Sequence, residues 1–122
     1  MNQILSKSYS ILDGERNLNS FDDIIFCPRN SDGYGIRIRF ANQFGVSIQC
    51  GEWNYSTPNT KGTPFEEFTQ FELALLDFRE DKAGELIYPP NYHDVEGFLS
   101  KNKIWNRILQ VKAGLLNVYC VE

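Results

Sequence analysis

The stretch Gly35 to Cys50, Gly-Ile-Arg-Ile-Arg-Phe-Ala-Asn-Gln-Phe-Gly-Val-Ser-Ile-Gln-Cys, decides the fold, because it holds two runs of two-residue alternation around a group of turn residues. In the first run Ile36, Ile38 and Phe40 share one face and Arg37 and Arg39 the other. In the second, Val46, Ile48 and Cys50 oppose Ser47 and Gln49. The pattern predicts a β-hairpin with Ala41 to Gly45 as a five-residue loop, in which Asn42 and Gly45 tolerate positive φ. Symmetric closure sets Phe40 opposite Val46, Ile38 opposite Ile48 and Ile36 opposite Cys50, and brings Arg39 to Ser47 and Arg37 to Gln49. One face is then apolar and fit for a core. The other is cationic and rich in hydrogen-bonding groups.

A chain of 122 residues reads as one domain, residues 1–122, and a globule of that length buries roughly two-thirds of the surface its unfolded form exposes. With 42% hydrophobic and 23% charged residues the composition is that of a folded domain, not a disordered one. Nine Phe, six Tyr and two Trp supply more stiff contact surface than a short core uses, which favours a binding surface and a homo-oligomer. The net charge of −4 argues against bulk nucleic acid and anionic membrane as partners, since both are held through clustered Lys and Arg. Cys27, Cys50 and Cys120 are odd in number, widely spaced and in no C-x-x-C pair. They read as reduced thiols in a cytoplasmic compartment, with Cys50 on the core face of the hairpin. Met1 to Leu12 lacks the pattern of a secretory leader, and no apolar run is long enough to span a bilayer, so the expectation is a soluble cytoplasmic protein.

Along the chain, Gln3 to Leu12 suits an edge strand or a docked N-terminal arm, and Asp13-Gly14 a turn. Phe21 to Cys27, closed by Pro28, predicts a short strand, and Pro28 to Gly35 a loop. Gly33-Tyr34-Gly35 is not a phosphate-binding glycine loop, because an alternating segment follows it and not a helix. Trp53 and Tyr55 introduce the longest loop, Ser56 to Pro64; they either cap the end of the sheet or belong to a functional surface. Phe65 to Phe78 predicts a long strand, Arg79 to Gly84 a tight connection, and Glu85 to Tyr88 its antiparallel partner, stopped by Pro89-Pro90. Asn91 to Leu99 is irregular, with Phe98 and Leu99 tucked under the sheet. Ser100 caps a helix over Lys101 to Ala113, Gly114 ends it, and Leu115 to Val121 forms a last strand or a tail. The whole is an α+β fold, an antiparallel sheet of about five strands covered by one C-terminal helix.

Catalysis finds little support. His93 is the single histidine, and although His93-Asp94 is a dipeptide that metal phosphohydrolases use, that chemistry needs further His and Asp ligands. No nucleophile-elbow signature surrounds any Ser or Cys, and Glu66-Glu67 diverge on a strand. No enzyme activity, metal or cofactor is expected. Binding is better served: Arg37, Arg39, Gln49, Trp53 and Tyr55, with Ser47 beside them, combine forked cationic donors, amides and flat rings. Such groups hold phosphates and stack purines, and they are equally the groups enriched at protein interfaces. They also suit the solvated outer face of an ordinary sheet.

Three blocks in order, Phe40-Ala41-Asn42-Gln43-Phe44-Gly45-Val46-Ser47-Ile48, Phe71-Glu72-Leu73-Ala74-Leu75-Leu76 and Asp94-Val95-Glu96-Gly97-Phe98-Leu99, carry a resemblance across the last two-thirds of the chain. The chain resembles a family of small phage and prophage proteins with the pattern F-x-N-G-Y-G-A-S-V, Y-E-L-A-V-L and D-D-V-x-G-Y-L before one C-terminal helix. It departs from that pattern at Gln43, where the family has glycine, and at His93, where it has aspartate. The resemblance implies a phage accessory protein with an antiparallel sheet and a C-terminal helix. By analogy with Thoeris anti-defence proteins, it implies capture of a small phosphorylated nucleotide immune signal without catalysis, in the host cytoplasm. The alternatives are an anti-CRISPR-type inhibitor that binds a host defence complex, and a housekeeping phage enzyme.

Overall fold

A computed structural model of the chain describes residues 11–14, 18–29, 32–80, 82–87 and 95–114. The hairpin is there. Strand β3 (Tyr34–Arg39) pairs antiparallel with β4 (Phe44–Cys50), following two short strands, β1 (Ile11–Asp13) and β2 (Cys27–Pro28). Next come β5 (Gln70–Asp77), β6 (Glu85–Ile87), β7 (Glu96–Ser100) and one helix, α1 (Lys101–Lys112). The sheet runs β1-β3-β4-β5-β6, with β2 sharing the β3 edge with β1 and β7 sharing the β5 edge with β6. Its ladders are antiparallel except β1 on β3, which is parallel. This is the expected α+β architecture.

The faces fall as the alternation requires. Ile36, Ile38, Phe40, Val46, Ile48 and Cys50 are all buried, together with Phe71, Leu73 and Leu75 of β5 and Ile104, Ile108 and Val111 of the helix. The register differs from the symmetric five-residue closure: Ile38 pairs with Val46, Ile36 with Ile48 and Arg37 with Ser47. The turn is tighter. The Phe40 amide donates to the Phe44 carbonyl and the Gln43 amide to the Phe40 carbonyl, leaving Ala41 to Gln43 as a three-residue loop. Gln43, with φ 72°, and not Asn42 or Gly45, takes the left-handed position that such a loop requires. Gly45 serves close approach instead, since a Cβ there would stand 2.1 Å from the Ile38 carbonyl oxygen. A slip of two residues preserves parity, so every side chain keeps its predicted face.

Other boundaries moved for local reasons. Phe21 to Asp23 forms a 3-10 turn, not a strand, because the Asp23 carboxylate accepts the Ser20 and Asn19 amides at 3.0 and 2.8 Å and winds the chain there. Only Cys27–Pro28 joins the sheet. Phe65 to Glu67 is likewise a 3-10 turn, so β5 starts at Gln70. Phe98 does not tuck under the sheet: β7 is irregular opposite Phe71 and Leu73, Phe98 adopts φ 57° and faces solvent, and Leu99 alone is buried. The helix starts as predicted, with the Ser100 hydroxyl accepting the Lys103 amide at 3.2 Å, and stops at Gly114 with φ 83°. Gln3 to Ser10, Tyr88 to Pro90, His93-Asp94, Leu115 to Val121 and Cys120 lie outside the described residues. No helix among the described residues is long and apolar enough to cross a membrane.

Candidate functional site

The segment after β4 alternates in the opposite sense to a core strand. Asn54 and Ser56 are buried, while Trp53 and Tyr55 are 78% and 58% exposed. Polar side chains therefore anchor this loop and its rings stand outward. The Ser56 hydroxyl accepts the Gly51 amide at 3.1 Å and lies 3.0 Å from the Pro58 carbonyl oxygen. Asn54 accepts Nη1 of Arg29 at 2.7 Å, and its amide nitrogen lies 3.3 Å from Gln49 Oε1 and 3.4 Å from Glu72 Oε1. Glu72 Oε1 also accepts the Tyr55 amide at 2.9 Å. Asp32 reaches across to take the Gly62 amide at 3.0 Å and the Glu52 amide at 3.1 Å, and these amides hold its carboxyl below the usual carboxylate range. A loop tied at so many points is held in one conformation.

Phe98 completes the surface. Its amide donates to the Tyr55 carbonyl at 2.9 Å, its ring centroid lies 5.9 Å from that of Tyr55, and it is 49% exposed. A phenylalanine at positive φ is an uncommon strained position, and here the irregularity in β7 turns the ring outward beside Tyr55.

The two arginines sit elsewhere. Arg37 donates from Nη2 to the Gly84 carbonyl at 2.6 Å, and the Arg37 and Arg39 guanidiniums lie 6.0 and 5.6 Å from the centre of the buried Phe78 ring. Gly84 in turn donates to Asp77, so this group gathers at the Asp77 end of β5. Gln49 pairs with Glu72 in the ladder and joins the network under Trp53 and Tyr55. Ser47, the ladder partner of Arg37, stands two residues from Gln49 on β4, about 7 Å of strand, and accepts Nε2 of Gln49 at 3.2 Å. The structure thus brings Arg37 to Arg39, with their guanidiniums at Gly84 and Phe78, while Gln49 links the two regions: it bonds Ser47, opposite Arg37, and Asn54 at the base of the Trp53 and Tyr55 loop.

Arg29, Asn54, Glu72 and Phe98 are the site residues that reading the sequence missed. The signal for Asn54 was present, since Trp-Asn-Tyr-Ser is a period-two pattern with the small polar residues free to face inward. For Phe98 there was none, because nothing in Glu-Gly-Phe-Leu-Ser marks which residue will take positive φ.

Cys50 carries no reactive chemistry: burial pushes its thiol up to about 12, so it stays protonated. Among the described residues no group of three or more His, Cys, Asp or Glu side chains could hold a metal. No protein family, no curated protein and no solved structure matches the chain.

Proposed function

We propose that the chain is a non-catalytic binding protein that docks a protein partner on Trp53, Tyr55 and Phe98. One observation carries this reading: two of the three rings stand out from a loop whose alternate residues, Asn54 and Ser56, are buried and hydrogen-bonded. Exposed aromatics on a rigid support are the usual centre of a protein interface. Joined to the phage resemblance, the reading makes the chain an anti-defence inhibitor of a host protein complex. The test places a photo-crosslinking side chain at position 53, or at the exposed Leu109 as a control, in a bacterial cytoplasm. A discrete adduct is expected at position 53 alone, lost when Tyr55→Ala and Phe98→Ala are added. Equal adducts at both positions would reject it.

A second reading, sequestration of a small phosphorylated nucleotide, is favoured by the convergence of Arg37 and Arg39 on one ring. Its site would be those two arginines without Trp53 or Tyr55. A thermal-shift screen with cyclic and ADP-ribose-type nucleotides tests it: stabilisation that Arg39→Ala abolishes would put it first.

A further inference from the structure

Among the described residues four cations lie over rings of the chain itself. Arg39 and Arg37 lie over Phe78, Arg79 lies 4.7 Å from the centre of Phe44, and Lys101 lies 5.7 Å from that of Phe21. Among the described residues none lies over Trp53, Tyr55 or Phe98, although these are among the most exposed rings.

Three carboxylates belong to the same loop network. Glu52 directly precedes Trp53, Glu72 holds the Tyr55 amide, and Asp32 holds the Glu52 amide. Two cations share the loop, Arg29, hydrogen-bonded to the buried Asn54, and the exposed Lys61, so the three carboxylates leave it net negative. An anionic ligand would meet these acids, in a chain of net charge −4. A guanidinium or ammonium gains both from them and from an open ring face, Trp above all. Size narrows the occupant further. Three rings with the exposures given offer on the order of 400 Å². A stable interface between two copies takes about 800 Å² from each.

We propose that Trp53, Tyr55 and Phe98 receive a short cationic segment of the partner protein, with Arg or Lys heads over the rings and beside Glu52. This inference rests on the docking reading above and adds the chemistry of the partner. Its test is an NMR titration of the full chain with an alternating Arg-Gly peptide, a matched Glu-Gly peptide and a cyclic nucleotide.

The Arg-Gly peptide is expected to shift the Trp53 indole signal and the amides of residues 52–56 and 97–98. Affinity should weaken several-fold as salt rises toward physiological strength. Trp53→Ala and Glu52→Gln should each weaken it several-fold while the thermal melt stays unchanged. Binding of the Glu-Gly peptide or the nucleotide to these signals, or no shift with any probe, would overturn the cationic assignment. So would concentration-dependent self-association abolished by Trp53→Ala, which would make a second copy the occupant. The crosslinking result at position 53 stands apart from these outcomes: an adduct there with no Arg-Gly response refutes the charge preference alone, and its absence refutes docking itself.

Discussion

The side-chain nitrogen of Asn42 donates to the carbonyl of Val111 at 2.8 Å, so the hairpin turn closes the end of the helix. The same side chain lies 3.3 Å from the Lys112 carbonyl and accepts the Phe44 amide at 3.0 Å. One residue thereby shapes the turn and adds a donor to the carbonyls of the last helical turn, where Val111 also accepts the Gly114 amide. Asn42→Ala should lower stability by about 1–3 kcal/mol, the range for unpairing part-buried polar groups. Asn42→Asp should cost more than Ala, because it keeps the acceptor for Phe44 but sets a negative charge against the negative end of the helix. Urea midpoints for the two variants, at unchanged m-value, check the order.

Gln43 pays a conformational penalty in the same turn. At φ 72° its Cβ is crowded by its own backbone, and glycine is not. Gln43→Gly should therefore raise stability by about 1 kcal/mol, less the greater freedom glycine gives the unfolded chain. Thermal melts of the two proteins side by side measure the gain.

Asp77 makes stability depend on acid. The Arg79 side chain, bonded to it at 2.9 and 3.0 Å, holds its carboxyl down to about 2 from an ordinary 3.8. A folded value below the unfolded one means that the carboxylate stabilises the fold in full above about pH 4 and that this contribution disappears as the pH falls toward 2. Melting temperatures across that window should drop more steeply for the native chain than for Asp77→Asn, whose difference from it should be constant above pH 5.

Phe98 separates folding from binding. Phe98→Gly relieves a positive φ but loses the half-buried ring's contact with Tyr55 and frees the unfolded chain, so the opposing effects should leave stability changed by less than about 1 kcal/mol. The ring beside Tyr55 would be gone, and Arg-Gly peptide binding should fall several-fold. Denaturation and titration of this one variant check both halves.

Cys50 should resist alkylation in the folded chain, being fully buried with a thiol raised to about 12. Peptide mapping after brief treatment with iodoacetamide should find Cys50 unmodified until urea unfolds the protein.

Much of the fold was legible because parity is robust. Ile36, Ile38, Val46 and Ile48 alternate so strictly that even a register off by two residues sends each to the core. The helix was equally plain, with Ser100 and Gly114 marking its ends. Short-range competition was harder to read. Asp23 and the Phe65 turn draw the backbone out of strands their apolar residues would suit, through hydrogen bonds that propensity does not show. The candidate site was half legible. Trp53 and Tyr55 announced themselves by type, whereas the direction of the Arg37 guanidinium depends on where Gly84 returns to β5, a matter of tertiary placement alone.

The inward and outward residues of the Trp53 to Ser56 segment perform independent tasks. Natural variation could therefore rewrite what the surface recognises by changing positions 53 and 55, while Asn54 and Ser56 keep the scaffold intact. The chemistry of the outward face is thereby uncoupled from the folding of the loop that carries it.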